Sequence, residues 1–290
     1  MNPSSFSYIA PMSLDEAFEF LSSHEDEAKI LAGGQSLIPL LKLRLTSIPY
    51  IVDISGIDGM NYIRESQSDL RIGSLTTIAD LEDSDLIHGK YQIISDAASG
   101  IADPLVRNRG TIGGNITHGD PSNDIPAVML AMGASFILAS NRSERKVNAE
   151  NFFLDTFTTA IEYGEILTEI VIPKAVKRSG GCYIKNKKAA GDFSVAAIAV
   201  YLNLRANGTV EKAGIGLTSV GPKPSRALKT EKYLKDRKID DAVAKEAAAI
   251  TVTECEPSSD FYGTAEFKKK VLEKITAEAI LVAAERSEEN

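Results

Sequence analysis

The stretch that decides the fold reads Ala32-Gly33-Gly34-Gln35-Ser36-Leu37 and lies between two apolar segments. The segment before it, 29–32, predicts a strand. The segment after it, 37–45, predicts a helix, and Pro39 falls in its first turn, where proline is tolerated. Paired glycines leave no Cβ between the backbone and a ligand and allow a positive φ. Because residues 31–38 include no Lys or Arg, backbone amides and the Ser36 hydroxyl are the donors available there to a phosphate group.

A second pair of glycines stands in Thr111-Ile112-Gly113-Gly114-Asn115, and the loop Gly119-Asp120-Pro121-Ser122-Asn123-Asp124 follows it. Two glycine loops of this kind on one chain would suit a diphosphate. The alternative is that both glycine pairs only form tight turns, and that Asp120 and Asp124 only serve as turn and helix-cap residues. As a ligand site, Asp124 at the start of a helix predicted over 125–132 would accept hydrogen bonds from sugar-like hydroxyls.

Periodic patterns predict helices and strands on both sides of these loops. Ser13 and Glu16 form a capping box before a helix over 14–21, and Asn207-Gly208 is a strong hairpin signal. The predicted strands cover residues 50–54, 62–65, 70–73, 134–139, 166–172, 195–204 and 210–218, and the other predicted helices cover 77–81, 92–100, 226–234, 240–251 and 265–284. Residues 174–181 are basic and contain glycine, which predicts a linker. Strands followed by a run of helices indicate an α+β protein.

The composition indicates an ordinary globular chain of about two domains. Its 290 residues are 43% hydrophobic and 25% charged, and a domain usually has roughly 150 residues. Its 32 basic and 40 acidic residues sum to a net charge of −8, which argues against nucleic acid or an anionic membrane as the main partner. The sequence has no apolar stretch near the roughly 20 residues of a membrane span, and its start shows no secretion signal. We therefore expect a cytoplasmic protein without a membrane span.

Sequence motifs for other chemistries are missing. Gly214-Ile215-Gly216 lacks the third glycine of the dinucleotide-binding G-x-G-x-x-G, and the sequence contains neither a P-loop nor a G-x-S-x-G hydrolase motif. Cys182 and Cys255 are far apart and cannot supply the four thiolates of an iron–sulfur cluster. The three histidines show no metal-ligand spacing. We therefore nominate no catalytic residue and no metal ligand.

Three segments, taken in order, resemble one family. The segments 32–40, 111–115 and 119–124 are similar to parts of the FAD-binding medium subunits of molybdenum hydroxylases, of the carbon monoxide dehydrogenase, aldehyde oxidoreductase and xanthine dehydrogenase type. The resemblance covers the whole chain. It implies a two-subdomain FAD-binding domain over 1–176, of the PCMH or vanillyl-alcohol-oxidase type, with subdomains of about 1–56 and 57–176. It also implies a CO dehydrogenase flavoprotein C-terminal domain over 177–290, with a small antiparallel sheet and helices.

The resemblance implies a site for one noncovalent FAD. The residues that match the family's two loops are Leu31, Ala32, Gly33, Gly34, Gln35, Ser36 and Leu37 in the first loop and Thr111, Gly113, Gly114 and Asn115 in the second. Asp124 matches the acidic residue that binds the sugar-like part of the cofactor. Lys185 matches a lysine near the flavin ring; the alternative is a solvated lysine beside Lys187 and Lys188. Ile101 and Leu167 match apolar residues of the flavin pocket. His118-Gly119 replaces the small residues that the family pattern would place before Asp120-Pro121.

The implied function is electron transfer within a larger assembly. In the family, a large molybdopterin subunit oxidises the substrate, and a small subunit with [2Fe-2S] clusters relays electrons to FAD on the medium subunit, which passes them to an external acceptor. We therefore expect this chain in a dimerised heterotrimer that oxidises an aldehyde of the glyceraldehyde type or carbon monoxide. Two alternatives come from other classes: a self-standing FAD-dependent oxidase and a non-redox nucleotide-binding module.

Overall fold

The computed structural model describes residues 2–24 and 26–290 of the chain. Strands β1 (Ser7–Ile9), β2 (Ala28–Leu31) and β3 (Tyr50–Asp53) form a parallel sheet in the order β1-β3-β2, and helices α1 (Leu14–Ser23) and α2 (Leu37–Lys42) accompany it. The predicted helices and strands of this region are confirmed. The helix predicted over 37–45 ends at Lys42, because Arg44 has a φ of 57° that a helix does not accommodate.

A five-stranded antiparallel sheet follows. Its strands are β4 (Ile63–Glu65), β5 (Asp69–Gly73), β6 (Ser135–Ala139), β7 (Glu144–Asn148) and β10 (Ile166–Pro173), in the order β4-β5-β10-β6-β7, and β8 (Phe153–Asp155) pairs with β9 (Thr158–Thr159). The helices of this region are α3 (Ile78–Asp83), α4 (Asp85–Lys90), α5 (Gln92–Ser99), α6 (Pro104–Arg107), α7 (Ile112–Thr117), α8 (Asp124–Met132) and α9 (Ala149–Phe152). Edge strand β7 was not predicted, because most of its residues are polar.

The last sheet lies between two layers of helices. Strands β11 (Ser179–Asn186), β12 (Ala196–Leu204), β13 (Val210–Thr218) and β14 (Ser225–Arg226) are antiparallel in chain order, and helices α10 (Leu228–Leu234), α11 (Asp241–Val252) and α12 (Ala265–Glu289) follow. Alternate residues of β12 face opposite sides, since Ala197 and Ala199 join the core around α8 while Ile198 and Val200 join the core with α11 and α12. Within residues 2–24 and 26–290, no helix is long and apolar enough to cross a membrane.

Every residue of helix α8 is buried. It packs on β13 at two glycines: a Cβ on Gly214 would lie 1.9 Å from the Ala131 carbonyl oxygen, and one on Gly216 would lie 1.9 Å from the Ala127 carbonyl oxygen. The glycines that resemble part of a dinucleotide-binding motif therefore serve helix–sheet packing. Their missing side chains let the helix backbone lie directly on the strand.

The linker predicted over 174–181 is wrong for its second half. Strand β10 ends at Pro173, but β11 already begins at Ser179, and Gly180 and Gly181 are buried strand residues. A Cβ on Gly180 would lie 2.5 Å from the Ser287 backbone nitrogen of α12. These glycines thus permit close packing rather than flexibility. The domain division predicted at 176/177 falls between β10 and β11.

We predict that Gly216→Ala lowers the free energy of unfolding by more than about 2 kcal/mol, because the added methyl group overlaps the Ala127 carbonyl and forces α8 away from the sheet. Urea unfolding followed by circular dichroism measures this change. Gly89→Ala is the matched control: this glycine lies in α4 with nothing within 4 Å of an added Cβ, so its stability should be unchanged or slightly raised. Equal stability of the two variants would contradict the packing described for α8.

Candidate functional site

The first glycine loop presents a run of unpaired backbone donors. In the part of the chain that the structure describes, the N–H groups of residues 33–36 donate to no backbone or side-chain acceptor. Gly34 has a φ of 75°, which glycine adopts without strain. Gly33 is in direct contact with the second loop region, since a Cβ there would lie 2.0 Å from the Arg109 carbonyl oxygen. This loop therefore offers several amides to an anion at the point where the two loop regions meet.

The second glycine loop has a different local role. Thr111 is the N-cap of α7, and its hydroxyl accepts a hydrogen bond from the Gly114 N–H at 3.1 Å. The Gly113 N–H donates to the Ser74 carbonyl at 2.9 Å. The prediction that this pair supplies a second set of free amides is therefore wrong. Gly113 instead permits close packing, because a Cβ there would lie 2.6 Å from the Cβ of Ser74.

Asn115 carries a buried acceptor without a donor. Its Oδ1 atom has no hydrogen-bond partner among the residues that the structure describes, and its backbone carbonyl accepts a bond from Asn123 Nδ2 at 2.7 Å. Leaving a buried polar atom unsatisfied costs about 1–3 kcal/mol. This oxygen therefore marks a position where a ligand donor would be stabilising. The bond from Asn123 also joins the second loop to the start of α8.

Asp124, Tyr183 and Lys185 form a buried polar cluster beside that helix start. Asp124 Oδ2 accepts a hydrogen bond from Lys185 Nζ at 3.0 Å, and Asp124 Oδ1 accepts one from the Tyr183 hydroxyl at 2.5 Å. The side chains of Asp124 and Lys185 are each only 6% exposed. The hypothesis that Lys185 is a solvated surface lysine is therefore wrong. Its two sequence neighbours, Lys187 and Lys188, are exposed.

Burial dominates the electrostatics of this cluster. It raises the pKa of the Asp124 carboxyl above its usual value, although the Lys185 ammonium and the Tyr183 hydroxyl oppose that shift. Burial and the Asp124 charge also raise the pKa of Tyr183 well above its usual value. Tyr183 therefore keeps its proton and acts as a hydrogen-bond donor. The Lys185 ammonium makes a second bond, to the Gly100 carbonyl at 3.2 Å.

The two predicted apolar site residues lie in one hydrophobic core with α8. Ile101 directly follows Gly100, whose carbonyl accepts a bond from Lys185, so it lies beside the polar cluster. Leu167 lies in β10, where it pairs in register with Leu138. Both side chains are almost fully buried. Their contact with a flavin stays a prediction.

His118 and Gly119, which are expected to depart from the family pattern, lie at the end of α7. The ring centroids of His118 and Phe157 are 5.2 Å apart. The pKa of His118 is lowered, because burial outweighs the attraction of Asp120. Asp120 Oδ1 accepts a hydrogen bond from the Ser122 N–H at 2.8 Å. Asp120 is thus a turn residue, as the alternative hypothesis for it proposed.

Three residues of the site were missed from the sequence: Arg109, Asn123 and Tyr183. Arg109 adds a positive charge beside the first loop, and it contributes to the lowered pKa of Asp53, where burial is outweighed by hydrogen bonds and by this charge. One available signal concerned Tyr183, which precedes Lys185 by two positions. Residues i and i+2 of a strand share a face, so a predicted strand over this segment would have placed both side chains together.

These features fit a long anionic ligand that also carries hydroxyl groups. Free amides in the first loop suit a pyrophosphate, and the buried oxygens of Asn115 and Asp124 suit ligand donors. Among known families, residues 4–175 match the FAD binding domain in molybdopterin dehydrogenase, and residues 181–283 match the CO dehydrogenase flavoprotein C-terminal domain. The chain belongs to this family, the FAD-binding medium subunits of molybdenum hydroxylases. The expected fold class and the expected cofactor, FAD, are confirmed by these matches.

Individual relatives match the chain over nearly its full length. The glyceraldehyde dehydrogenase medium chain of Sulfolobus acidocaldarius is 37% identical, covering 96% of this chain and 98% of the relative. The carbon monoxide dehydrogenase medium chain of Hydrogenophaga pseudoflava is also 37% identical, with 98% of each chain covered. A chain in the structure of carbon monoxide dehydrogenase from Hydrogenophaga pseudoflava superposes with a TM-score of 0.95 at 38% identity, covering 99% of both chains.

We predict that Lys185→Met lowers the free energy of unfolding by about 3–5 kcal/mol at pH 7, because it leaves the Asp124 carboxylate buried without its cation. The double variant Lys185→Met/Asp124→Asn should recover more than half of this loss, since Asn keeps an oxygen for Tyr183 without the charge. Chemical denaturation of the three proteins measures the effect.

The pH dependence of the free energy of unfolding provides the control for this prediction. In Lys185→Met the folded-state pKa of Asp124 lies further above its unfolded value, so the folded state binds the proton more tightly. Its stability should therefore rise, relative to the double variant, as the pH falls from 7 towards about 4, the unfolded pKa of Asp. A stability difference that stays constant over this range would contradict the burial of an unpaired carboxylate.

Proposed function

We propose that this chain takes electrons from iron–sulfur clusters of a partner subunit and passes them to an external acceptor, as the flavoprotein of a molybdenum hydroxylase. The observation that carries this proposal is the loop at residues 33–36, whose amides are unpaired and whose Gly33 contacts Arg109, just before the second glycine loop. The full-length matches to medium chains of two dehydrogenases support it. FAD, when bound, handles electrons one or two at a time and therefore suits the connection between clusters and an acceptor.

Each group of residues has a distinct part in holding the cofactor. The amides of the first loop donate to the pyrophosphate, as at other anion-binding turns. Asn115 offers its unpaired Oδ1 to a donor of the cofactor. The remaining matched residues shape the two loops and bring them together; they are Leu31, Ala32, Leu37, Thr111, Gly113 and Gly114. Asp124 accepts hydrogen bonds from hydroxyls of the cofactor. Ile101 and Leu167 supply apolar walls that exclude water.

Lys185 has an electrostatic part in this proposal. Its ammonium is held by Asp124 and by the Gly100 carbonyl, which leaves one of its three N–H donors for a ligand. A buried cation favours negative charge in its neighbourhood more strongly than an exposed cation does. Lys185 therefore tunes the site toward accepting electrons, while the Asp124 charge limits the size of that effect.

The assembly that we propose contains a large molybdopterin subunit and a small [2Fe-2S] subunit in a dimerised heterotrimer. The two dehydrogenases named above support this, because the matched proteins are medium chains. We further propose a cytoplasmic location. Cys182 and Cys255 are both buried free thiols, as is usual in a reducing compartment.

The substrate of the complex is proposed to be an aldehyde of the glyceraldehyde type or carbon monoxide. The relatives that act on these substrates, by their names, are equally similar to this chain at 37% identity. This equality is expected if the substrate is recognised by the large subunit rather than by the flavoprotein. Assaying the native complex with glyceraldehyde and with carbon monoxide shows which of these two substrates it oxidises.

We predict that Gly114→Val weakens FAD binding at least tenfold while the fold persists. A Cβ at Gly114 meets the Thr111 hydroxyl at 2.9 Å and otherwise extends into open space, so valine disturbs the helix cap and fills space where we propose that the cofactor lies. Flavin released by acid precipitation, which frees a noncovalent cofactor, measures the content. Gly89→Val in α4, also open to solvent at its Cβ, is the control. The loop assignment fails if both variants retain full flavin.

We predict that the purified chain, loaded with FAD but without partner subunits, does not oxidise aldehydes, carbon monoxide or purines. Its site residues bind a cofactor, and the substrate chemistry belongs to the molybdenum subunit. Addition of both partner subunits should restore substrate-dependent bleaching of the visible flavin absorption, at the usual enzyme rates of about 1 per second or more. Turnover by the isolated chain at such a rate would instead establish a self-standing oxidase.

A further inference from the structure

Tyr183 is a buried tyrosine whose hydroxyl donates to a carboxylate that is itself proposed to bind the cofactor. The bond to Asp124 Oδ1 spans 2.5 Å, and the tyrosine is 6% exposed. Tyr183 was not among the residues that the family resemblance assigned to the site. We infer that Tyr183 is a positioning residue, which holds the Asp124 carboxylate in the orientation needed to receive cofactor hydroxyls. This inference rests on the proposed function.

The geometry of the carboxylate shows what the tyrosine controls. An ionised carboxylate accepts at about four lone-pair sites, and here Tyr183 takes a site on Oδ1 while Lys185 takes a site on Oδ2. One acceptor site on each oxygen is thus left for a ligand. Without the tyrosine hydroxyl, the carboxylate is free to rotate and to present both oxygens to Lys185. Tyr183 therefore restricts Lys185 to one oxygen of the Asp124 carboxylate. It also orients the remaining lone pairs of the carboxylate towards the ligand.

The position of Tyr183 is fixed by hydrogen bonds between β11 and two helices, α5 and α12. Its backbone N–H donates to Asp96 Oδ2 of α5 at 3.3 Å. Arg286 of α12 donates to Asp96 Oδ2 at 2.5 Å and to the Gly181 carbonyl at 2.6 Å. Gly181, Tyr183 and Lys185 share one face of β11, since they are two positions apart. These hydrogen bonds therefore fix β11 directly before the two side chains that bond Asp124.

A purely structural role would leave the composition of this cluster unexplained. Burying a charged pair and a hydroxyl is costly, and apolar side chains of similar volume are often equally or more stabilising. Asp124 comes from the segment that matches the FAD binding domain, whereas Tyr183 and Lys185 come from the segment that matches the C-terminal domain. The cluster thus makes the orientation of a cofactor ligand in one domain depend on the other domain.

The test compares two tyrosine-to-phenylalanine variants of the full chain in its native complex. Tyr183→Phe removes the hydroxyl at the cluster, and Tyr201→Phe removes a hydroxyl that donates to Ser179 Oγ at 2.9 Å on the neighbouring strand. After removal of the flavin, FAD is titrated back by fluorescence quenching. We expect Tyr183→Phe to bind FAD about tenfold more weakly, with a shifted visible absorption maximum, and Tyr201→Phe to match the unmodified chain within about twofold.

Equal FAD affinity and an unchanged spectrum in Tyr183→Phe, with thermal stability lowered as in Tyr201→Phe, would overturn the inference and leave Tyr183 a structural residue. If Tyr183→Phe does not fold, Tyr183→Phe/Asp124→Asn is compared with Asp124→Asn. The two should bind FAD equally, because the tyrosine acts through the carboxylate; a difference above about threefold would count against it. An unmodified complex that binds no FAD would contradict the proposed function itself, which is a separate outcome.

Discussion

The contact between helix α8 and strand β13 is the constraint on which the rest of this structure depends. Carbonyl oxygens of Ala127 and Ala131 lie where side chains of Gly216 and Gly214 would otherwise be. This contact holds the wholly buried helix α8 against the last sheet. It therefore fixes the position of the first residue of the helix, Asp124, relative to that sheet. Because β11 belongs to the same sheet, the packing that holds α8 also brings Asp124 within reach of Tyr183 and Lys185.

The site that results uses two kinds of electrostatics in a chain with a net charge of −8. The first loop offers neutral amides, which attract an anion through their partial charges and do not need a basic surface. The cluster at Asp124 instead contains full charges, whose cost of burial is offset by their ion pair and by the tyrosine hydroxyl. These local groups can therefore supply the proposed diphosphate site without a basic surface.

Much of the local structure was predictable from short segments. The capping box at Ser13 and Glu16, the hairpin at Asn207-Gly208 and the helix over residues 125–132 depend on neighbours in sequence, and the structure confirms each. The paired glycines were expected to admit a ligand, which stays a prediction; the structure shows that Gly33 and Gly113 also permit close contacts within the protein, with Arg109 and Ser74. The family followed from three segments in order. Strands β7 and β11 were not predicted, because neither segment shows a regular alternation of apolar and polar residues.

The sequence by itself therefore determined the family, the order of most elements and the residues to examine. Tertiary structure decided which of their groups are free to bind. It showed that the amides of residues 33–36 are unpaired while those of Gly113 and Gly114 are used internally. It also buried Lys185 against Asp124, 61 positions away, and added Tyr183 to the same carboxylate from 59 positions away. Hydrogen bonds between residues so far apart in the sequence depend on how α8 packs on the sheet. The pattern of a short segment cannot predict them.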